Sequence, residues 1–290
     1  MYLQYTVDAI GTGALYAIMT LGLALVFSVM GLMNFAYGQL VMIGGFSMIL
    51  LRQTPTWVLV LGTIIVVVIF SLLMERLAFR PVRTATAMTM LITSFALSEL
   101  LQQAARIAFG ANPKPLEQFE LLSTQFEVGS IFISLQTLTV IVTTLVVLVA
   151  LAVLLRKTNI GIQLRASTED VGMASLVGIR PNRVIATAFV ISGILAAIVA
   201  MLFFSSRTNV SWSSGQSVVL IAFVGAVIGG LGSLSGAALG GFLMGFAYTM
   251  LNALLPIDLR VFADAFLYTL VIVVLLVRPS GLIAAKGVRV

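Results

Sequence analysis

The sequence predicts an all-helical polytopic membrane protein with about 8–10 transmembrane helices. Two observations lead there. Hydrophobic residues fill 60% of the 290 positions and charged residues only 9%, whereas a soluble domain gives about a quarter of its residues to charge. The apolar residues also fall into runs close to the ~20 needed to cross a hydrocarbon core as a helix. One transmembrane domain over 1–290 is therefore expected.

Taken in order, the runs lie near 9–29, 33–51, 57–75, 87–108, 131–155, 184–204, 218–232, 236–255 and 262–277. The first has no Lys or Arg ahead of it, so it reads as a retained span and not a cleaved leader. The fourth carries Glu99, Gln102, Gln103 and Arg106, a spacing of i, i+3, i+4 and i+7 that puts them on one helix face. An acid within a span needs a partner or water. Either a Glu99–Arg106 contact across two turns at the membrane interface or a place along a pathway would supply it. Asp264, four residues after Arg260, suggests a similar local pair ahead of the last span.

Charge orients the chain. With the C-terminus inside, segments 76–86, 156–183 and 278–290 face the cytoplasm. They hold Arg76, Arg80, Arg83, Arg156, Lys157, Arg165, Arg180, Arg183, Arg278, Lys286 and Arg289, against Arg52, Arg106, Lys114, Arg207 and Arg260 outside. That excess satisfies the positive-inside rule and places the N-terminus outside. The net charge of +6 is scattered between apolar runs, which points to orientation in lipid and away from nucleic acid. The chain has neither Cys nor His. Disulfides, thiolate chemistry, sulfur- or imidazole-bound metals and Ser-His catalysis are thereby excluded, and no catalytic or metal-binding residue is expected.

The seventh and eighth runs, "VGAVIGGLGSLSGAALGGFLMG", are dense in glycine. Gly225/Gly229, Gly232/Gly236/Gly240 and Gly241/Gly245 are spaced by four, which leaves a helix face of bare backbone for close packing. A helix broken within the membrane beside a pathway is the other reading of Gly229, Gly232, Gly236 and Gly240.

The segment 156–183, "RKTNIGIQLRASTEDVGMASLVGIRPNR", interrupts this apolar chain with five basic and two acidic residues. Ser167-Thr168-Glu169-Asp170 has the pattern of a helix N-cap followed by acids at the positive end of the helix dipole. Gly178 and Pro181 are stop signals. The expectation is a short helix over 168–177 that exposes Met173, Leu176 and Val177 to a partner.

This segment resembles the cytoplasmic loop of inner-membrane permeases from ATP-binding cassette importers, in particular the branched-chain amino acid permease family. Arg165, Glu169, Asp170, Ala174, Gly178 and Ile179 stand at the family's loop positions. The resemblance continues in "GALYAIMTLGLALVFSVMGLMNFAYGQLVMIGGF", with its Asn34-x-Ala36-x-Gly38 core, in "GAVIGGLGSLSGAALGG" and in "LVRPSGL". Together these motifs run from residue 11 to residue 282. Many relatives carry His-Gly-Glu where this chain has Tyr37-Gly38-Gln39, so neutral groups replace a titratable ring and a carboxylate.

The resemblance implies a permease fold with a cytoplasmic coupling helix, in the bacterial cytoplasmic (inner) membrane. It implies a second permease, paralogous or identical, two cytoplasmic ATPases that use ATP and Mg, a periplasmic solute-binding protein, and contact with membrane lipid. The chain would hydrolyse nothing itself: none of its three lysines follows a Gly-x-x-x-x-Gly pattern. The solutes implied are branched-chain amino acids or related small amino acids and amides, with urea or short-chain amides as the alternative. Asn34, Tyr37, Gly38 and Gln39 are candidates either for lining the passage or for capping and interhelical hydrogen bonds. An ion-coupled carrier is the rival class. It would be expected to hold acids at mid-membrane, whereas Glu99 and Asp264 lie near the ends of their runs.

Overall fold

Where every backbone N–H and C=O must be satisfied without water, helices are the economical solution, and helices dominate here. The computed structural model describes residues 2–31, 34–83, 85–116, 124–128, 131–169, 171–207, 209–279 and 281–283. Each of the nine apolar runs forms a helix. They are α1 (Tyr2–Met30), α2 (Tyr37–Leu50), α3 (Thr56–Leu73), α5 (Ala87–Phe109), α6 (Leu135–Lys157), α9 (Pro181–Ser205), α10 (Ser214–Gly229), α11 (Leu234–Leu254) and α12 (Ala263–Val277). A π turn, Met74–Phe79, extends α3 into a last turn, α4 (Arg80–Val82). The polar segment adds α7 (Asn159–Glu169) and α8 (Val171–Leu176).

Among the described residues, six helical stretches are long and apolar enough to cross a membrane, the longest of them Tyr2–Met30. The apolar helices α2 and α10 are shorter, at 14 and 16 residues. The chain is a multi-pass membrane protein.

The contacts group into two compact units. One takes residues 1–21, 119–149 and 221–290, the other residues 22–118 and 150–220. In the first, Ile228 of α10, Met244 of α11, and Leu267 and Val271 of α12 form a buried cluster, and Tyr16 stacks on Tyr248. Gln4 binds the backbone of Phe132 in both directions, donating at 2.8 Å and accepting at 2.9 Å. The end of the chain folds back: Leu282 and Ile283 donate their N–H groups to the carbonyls of Ile228 and Gly229 at 2.8 and 3.0 Å. Those two carbonyls lie in the last turn of α10, where a helix has no N–H donors of its own left to offer them. In the second unit, α2, α3 and α9 pack against one another, and the Ser71 hydroxyl on α3 donates to the Phe189 carbonyl of α9 at 2.7 Å.

Several expectations need correction. The fifth span begins at Leu135, because Ile131–Ser134 pairs as a strand, β3, with Gln125–Val128, β2. Two further short strands, β1 (Lys114–Pro115) and β4 (Asn209–Val210), also pair antiparallel. Arg260 lies in a 3₁₀ turn, Ile257–Phe262. Its Nε donates to the Leu255 carbonyl at 3.2 Å, and it forms no ion pair with Asp264.

The polar segment also differs from the expected single helix over 168–177. Thr158 follows α6 at once, and its hydroxyl accepts the N–H of Gly161 at 3.1 Å. That cap starts α7 at Asn159, so Ser167 falls inside α7 and is buried there. The cap lies upstream because Thr158 offers the same hydroxyl sooner. Asp170 lies outside the described residues. The stop is as expected. Gly178 has φ +87°, and the bonds Gly178 N–H to Ser175 O and Ile179 N–H to Ala174 O, both 3.1 Å, form a Schellman closure. Pro181 then opens α9 in its first turn, where a missing N–H costs nothing.

Candidate functional site

The second unit holds a buried polar cluster at the start of two short helices. α2 begins at Tyr37, after a turn in which Asn34 Oδ1 accepts the Ala36 N–H at 3.0 Å. α10 begins at Ser214, after a turn in which the Ser214 hydroxyl accepts the Ser211 N–H at 3.0 Å. The second residue of each helix is glycine, and there the backbones meet. A Cβ on Gly38 would overlap the Gly215 carbonyl oxygen, and one on Gly215 would lie 2.7 Å from Gln39 Oε1. The first turns of both helices therefore meet at one point. Helix N-termini carry partial positive charge, although here the N–H groups of Tyr37, Gln39, Ser214 and Gln216 already bond to turn carbonyls.

Around that point the expected pathway residues come together. Asn34, Tyr37 and Gln39 are all buried. Gln39 Nε2 donates to the Ser98 hydroxyl of α5 at 3.0 Å. The Tyr37 hydroxyl lies against Gly22 of α1, where a Cβ would overlap it, and Ser192 of α9 donates to the Gly22 carbonyl at 2.8 Å. Three polar atoms in this cluster have no partner: Asn34 Nδ2, the Tyr37 hydroxyl oxygen and Gln39 Oε1. A buried polar atom without a partner costs about 1–3 kcal/mol. Gln39 Oε1 lies at the Gly38–Gly215 contact and the Tyr37 hydroxyl at Gly22, and at each a polar ligand would relieve a standing penalty.

Ser98 was not among the expected residues, although a pattern in the sequence points to it. The buried polar positions of α5 are Ser94, Ser98 and Gln102, spaced by four as one helix face requires. Of the stripe expected on α5, only Gln102 is buried; Glu99, Gln103 and Arg106 are exposed. Glu99 and Arg106 form no ion pair. The Arg106 guanidinium lies instead over the Trp212 ring, 5.3 Å from its centroid, a favourable placement for a cation.

The glycine-rich stretch behaves differently. The helix breaks between α10 and α11, with Gly230 at φ +106° and Gly232 at φ +87°. Gly232 thus belongs to the link and to neither helix face. Ser233 restarts the chain as the N-cap of α11, its hydroxyl accepting the Gly236 N–H at 3.1 Å. Gly229 and Gly236 then pack backbone on backbone, and a Cβ on Gly240 would lie 2.7 Å from the Gly229 Cα.

Of the expected ATPase-facing residues, those described lie on α7, α8 and the closure behind them. Ala174 is buried, Arg165 and Gly178 are exposed, and Ile179 is half-buried. Glu169 is the last residue of α7. Met173, Leu176 and Val177 expose 64%, 80% and 77% of their surface, although a packed helix turns its apolar side chains towards a core.

Known proteins resemble the chain along nearly all of its length. A high-affinity branched-chain amino acid transport system permease protein, LivH, of Salmonella typhimurium is 31% identical over 304 aligned residues, covering 99% of this chain and 97% of the relative. The permease protein BraD of a system of the same description in Pseudomonas aeruginosa is 32% identical, with the same coverage. A probable LivH of Methanocaldococcus jannaschii is 28% identical over 94% of this chain and 88% of the relative. Residues 5–275 match the family model described as branched-chain amino acid transport system, permease component. With half-length apolar helices meeting at a buried polar cluster, and with likeness at this level from end to end, the chain belongs to the branched-chain amino acid transport system permease family.

Proposed function

We propose that this chain is the permease subunit of an ATP-driven importer in the bacterial cytoplasmic membrane. It would pass branched-chain amino acids delivered by a periplasmic binding protein. The observation that carries this reading is the set of unpartnered buried polar atoms on Asn34, Tyr37 and Gln39 at the start of α2, where the start of α10 meets it. A branched-chain amino acid is a zwitterion with an apolar side chain. Two partial positive helix ends suit its carboxylate, and neutral donors and acceptors suit the rest without holding it too tightly to release. The proposal treats residues 1–290 as one transmembrane domain, with 156–183 and the C-terminus cytoplasmic.

ATP and its Mg²⁺ belong on this reading to two partner ATPases, and a paralogous or identical permease completes the membrane part. The coupling element is α7–α8 with its closure: Arg165, Glu169, Asp170, Ala174, Gly178 and Ile179. The exposed apolar residues Met173, Leu176 and Val177 support it, since a docked partner would cover them.

The test is uptake in proteoliposomes that contain the permeases and ATPases, with the binding protein added outside. Radiolabelled leucine, isoleucine or valine should accumulate only when ATP is enclosed with the ATPases. Uptake driven by a proton or sodium gradient without ATP would make the chain a secondary carrier. Uptake of urea or acetamide in place of leucine would move the solute class to small amides.

A further inference from the structure

A second polar site lies at the basic ends of α3 and α9, within the second unit. A cavity of about 310 Å³ opens there, lined by Leu72, Glu75, Arg76, Arg80, Asn182, Arg183 and Ala186. Its one acid is already neutralised: Glu75, buried in the π turn, is ion-paired to Arg83. Arg83 also donates to Asn182 Oδ1 at 2.5 Å, so the pair braces the end of α3 against the first turn of α9. Arg76, Arg80 and Arg183 are exposed, and none has a carboxylate within ion-pair distance among the described residues. Three guanidiniums therefore surround one cavity with no counter-charge.

The remaining wall is apolar. Leu72 and Ala186 line it, and outside the cavity Ile69 and Leu73 of α3 and Leu77 of the π turn expose 50%, 42% and 70% of their surface. Thr56–Val82 is one of the apolar stretches long enough to cross a membrane. The site is thus an amphiphile's shape in negative, with positive charge at the end of a span and bare hydrocarbon along its length. Guanidinium groups match phosphate oxygens in charge and in fork geometry. A water-soluble protein could meet the arginines but could not follow the apolar wall into lipid.

We propose that this cavity binds the phosphate head group of an anionic phospholipid, with Arg76, Arg80 and Arg183 on the phosphate and an acyl chain along Ile69, Leu73 and Leu77. A basic residue close to an anionic lipid surface contributes about fivefold in affinity.

Native mass spectrometry of the detergent-purified protein, alone and with its ATPases, tests this. Palmitoyl-oleoyl phosphatidylglycerol is titrated against the zwitterionic phosphatidylcholine of the same chains, with inorganic phosphate as a third arm. Wild type should retain phosphatidylglycerol at least tenfold better than phosphatidylcholine. Arg80→Gln should lower that preference about fivefold, and the triple variant R76Q/R80Q/R183Q should abolish it. The single exchanges Arg80→Gln and Arg183→Gln leave the Glu75–Arg83 pair intact and decide the matter if the triple variant does not fold. Unchanged preference in these variants would overturn the proposal. So would displacement of the lipid by millimolar phosphate, which would make the site one for free anions. Loss of ATPase co-purification with lipid retention unaltered would make it a protein contact. Transport failing in the proteoliposome assay would leave this result untouched, because lipid retention does not depend on the solute.

Discussion

Two glycine-lined approaches, one in each unit, look alike in outline and differ in what surrounds them. At Gly229 and Gly236 in the first unit, backbone packs on backbone. The polar groups beside that contact are satisfied: Ser233 caps Gly236, and the tail residues Leu282 and Ile283 cap Ile228 and Gly229. At Gly38 and Gly215 in the second unit the backbones come just as close, yet Gln39 Oε1 lies there unpartnered, and the same turn and helix start carry the unpartnered Asn34 Nδ2 and Tyr37 hydroxyl. Close packing in a membrane needs only small residues. Buried polar atoms without partners add nothing to it and cost free energy. The first approach is therefore explained by packing alone, and the second is not.

The largest effect should come from filling the first contact. Gly236→Leu puts a side chain where the Gly229 carbonyl already lies. Overpacking of this kind costs ~1–3 kcal/mol or more, and here the obstacle is backbone, which has little room to shift. A fall in thermal midpoint and in yield of monodisperse protein is expected, with uptake falling only in proportion to folded protein. An unchanged midpoint would show that α10 and α11 do not depend on this contact.

The comparison also marks how far the sequence could be read. The apolar runs, the break between Gly229 and Ser233, and the stop at Gly178 were all legible, because hydropathy, glycine and proline act locally. So were Asn34, Tyr37 and Gln39 as a polar group at the head of the second span, although not the shortness of its helix. What joins them was not. Gly215 and Ser98 meet Gln39 only through tertiary packing, and no local rule links residues 39, 98 and 215. The Glu75–Arg83–Asn182 bridge escaped for the same reason. The start of the polar helix was misplaced because two hydroxyl caps competed, Thr158 and Ser167. The one beside the end of α6 prevailed.

A smaller effect should follow from removing the cap in the first unit. Ser233→Ala deletes the oxygen that accepts the Gly236 N–H, at a cost of about 1 kcal/mol. The thermal midpoint should drop measurably less than for Gly236→Leu. Uptake per folded molecule should match wild type, since nothing in the packing account gives this hydroxyl contact with solute. Loss of uptake at wild-type stability would mean that the first contact also borders a passage, and the distinction between the two regions would fail.

The smallest effect on stability, and the sharpest on the comparison, belongs to Tyr37→Phe. The ring stays and only the unpartnered hydroxyl goes, from a position fully buried against Gly22. Removing a buried polar group that has no partner relieves a desolvation cost and breaks no hydrogen bond. The thermal midpoint should hold or rise slightly. If that hydroxyl meets the solute in passage, its loss removes one hydrogen bond worth about 0.5–1.5 kcal/mol, so ATP-dependent uptake per folded molecule should fall roughly 2- to 12-fold. A hydroxyl that never meets the solute would leave uptake per folded molecule intact, with the midpoint held or raised all the same. Uptake corrected for folded protein is therefore the deciding readout, and the midpoint shows that any loss is not one of stability. At Tyr37, passage and packing can be told apart by deleting a single oxygen.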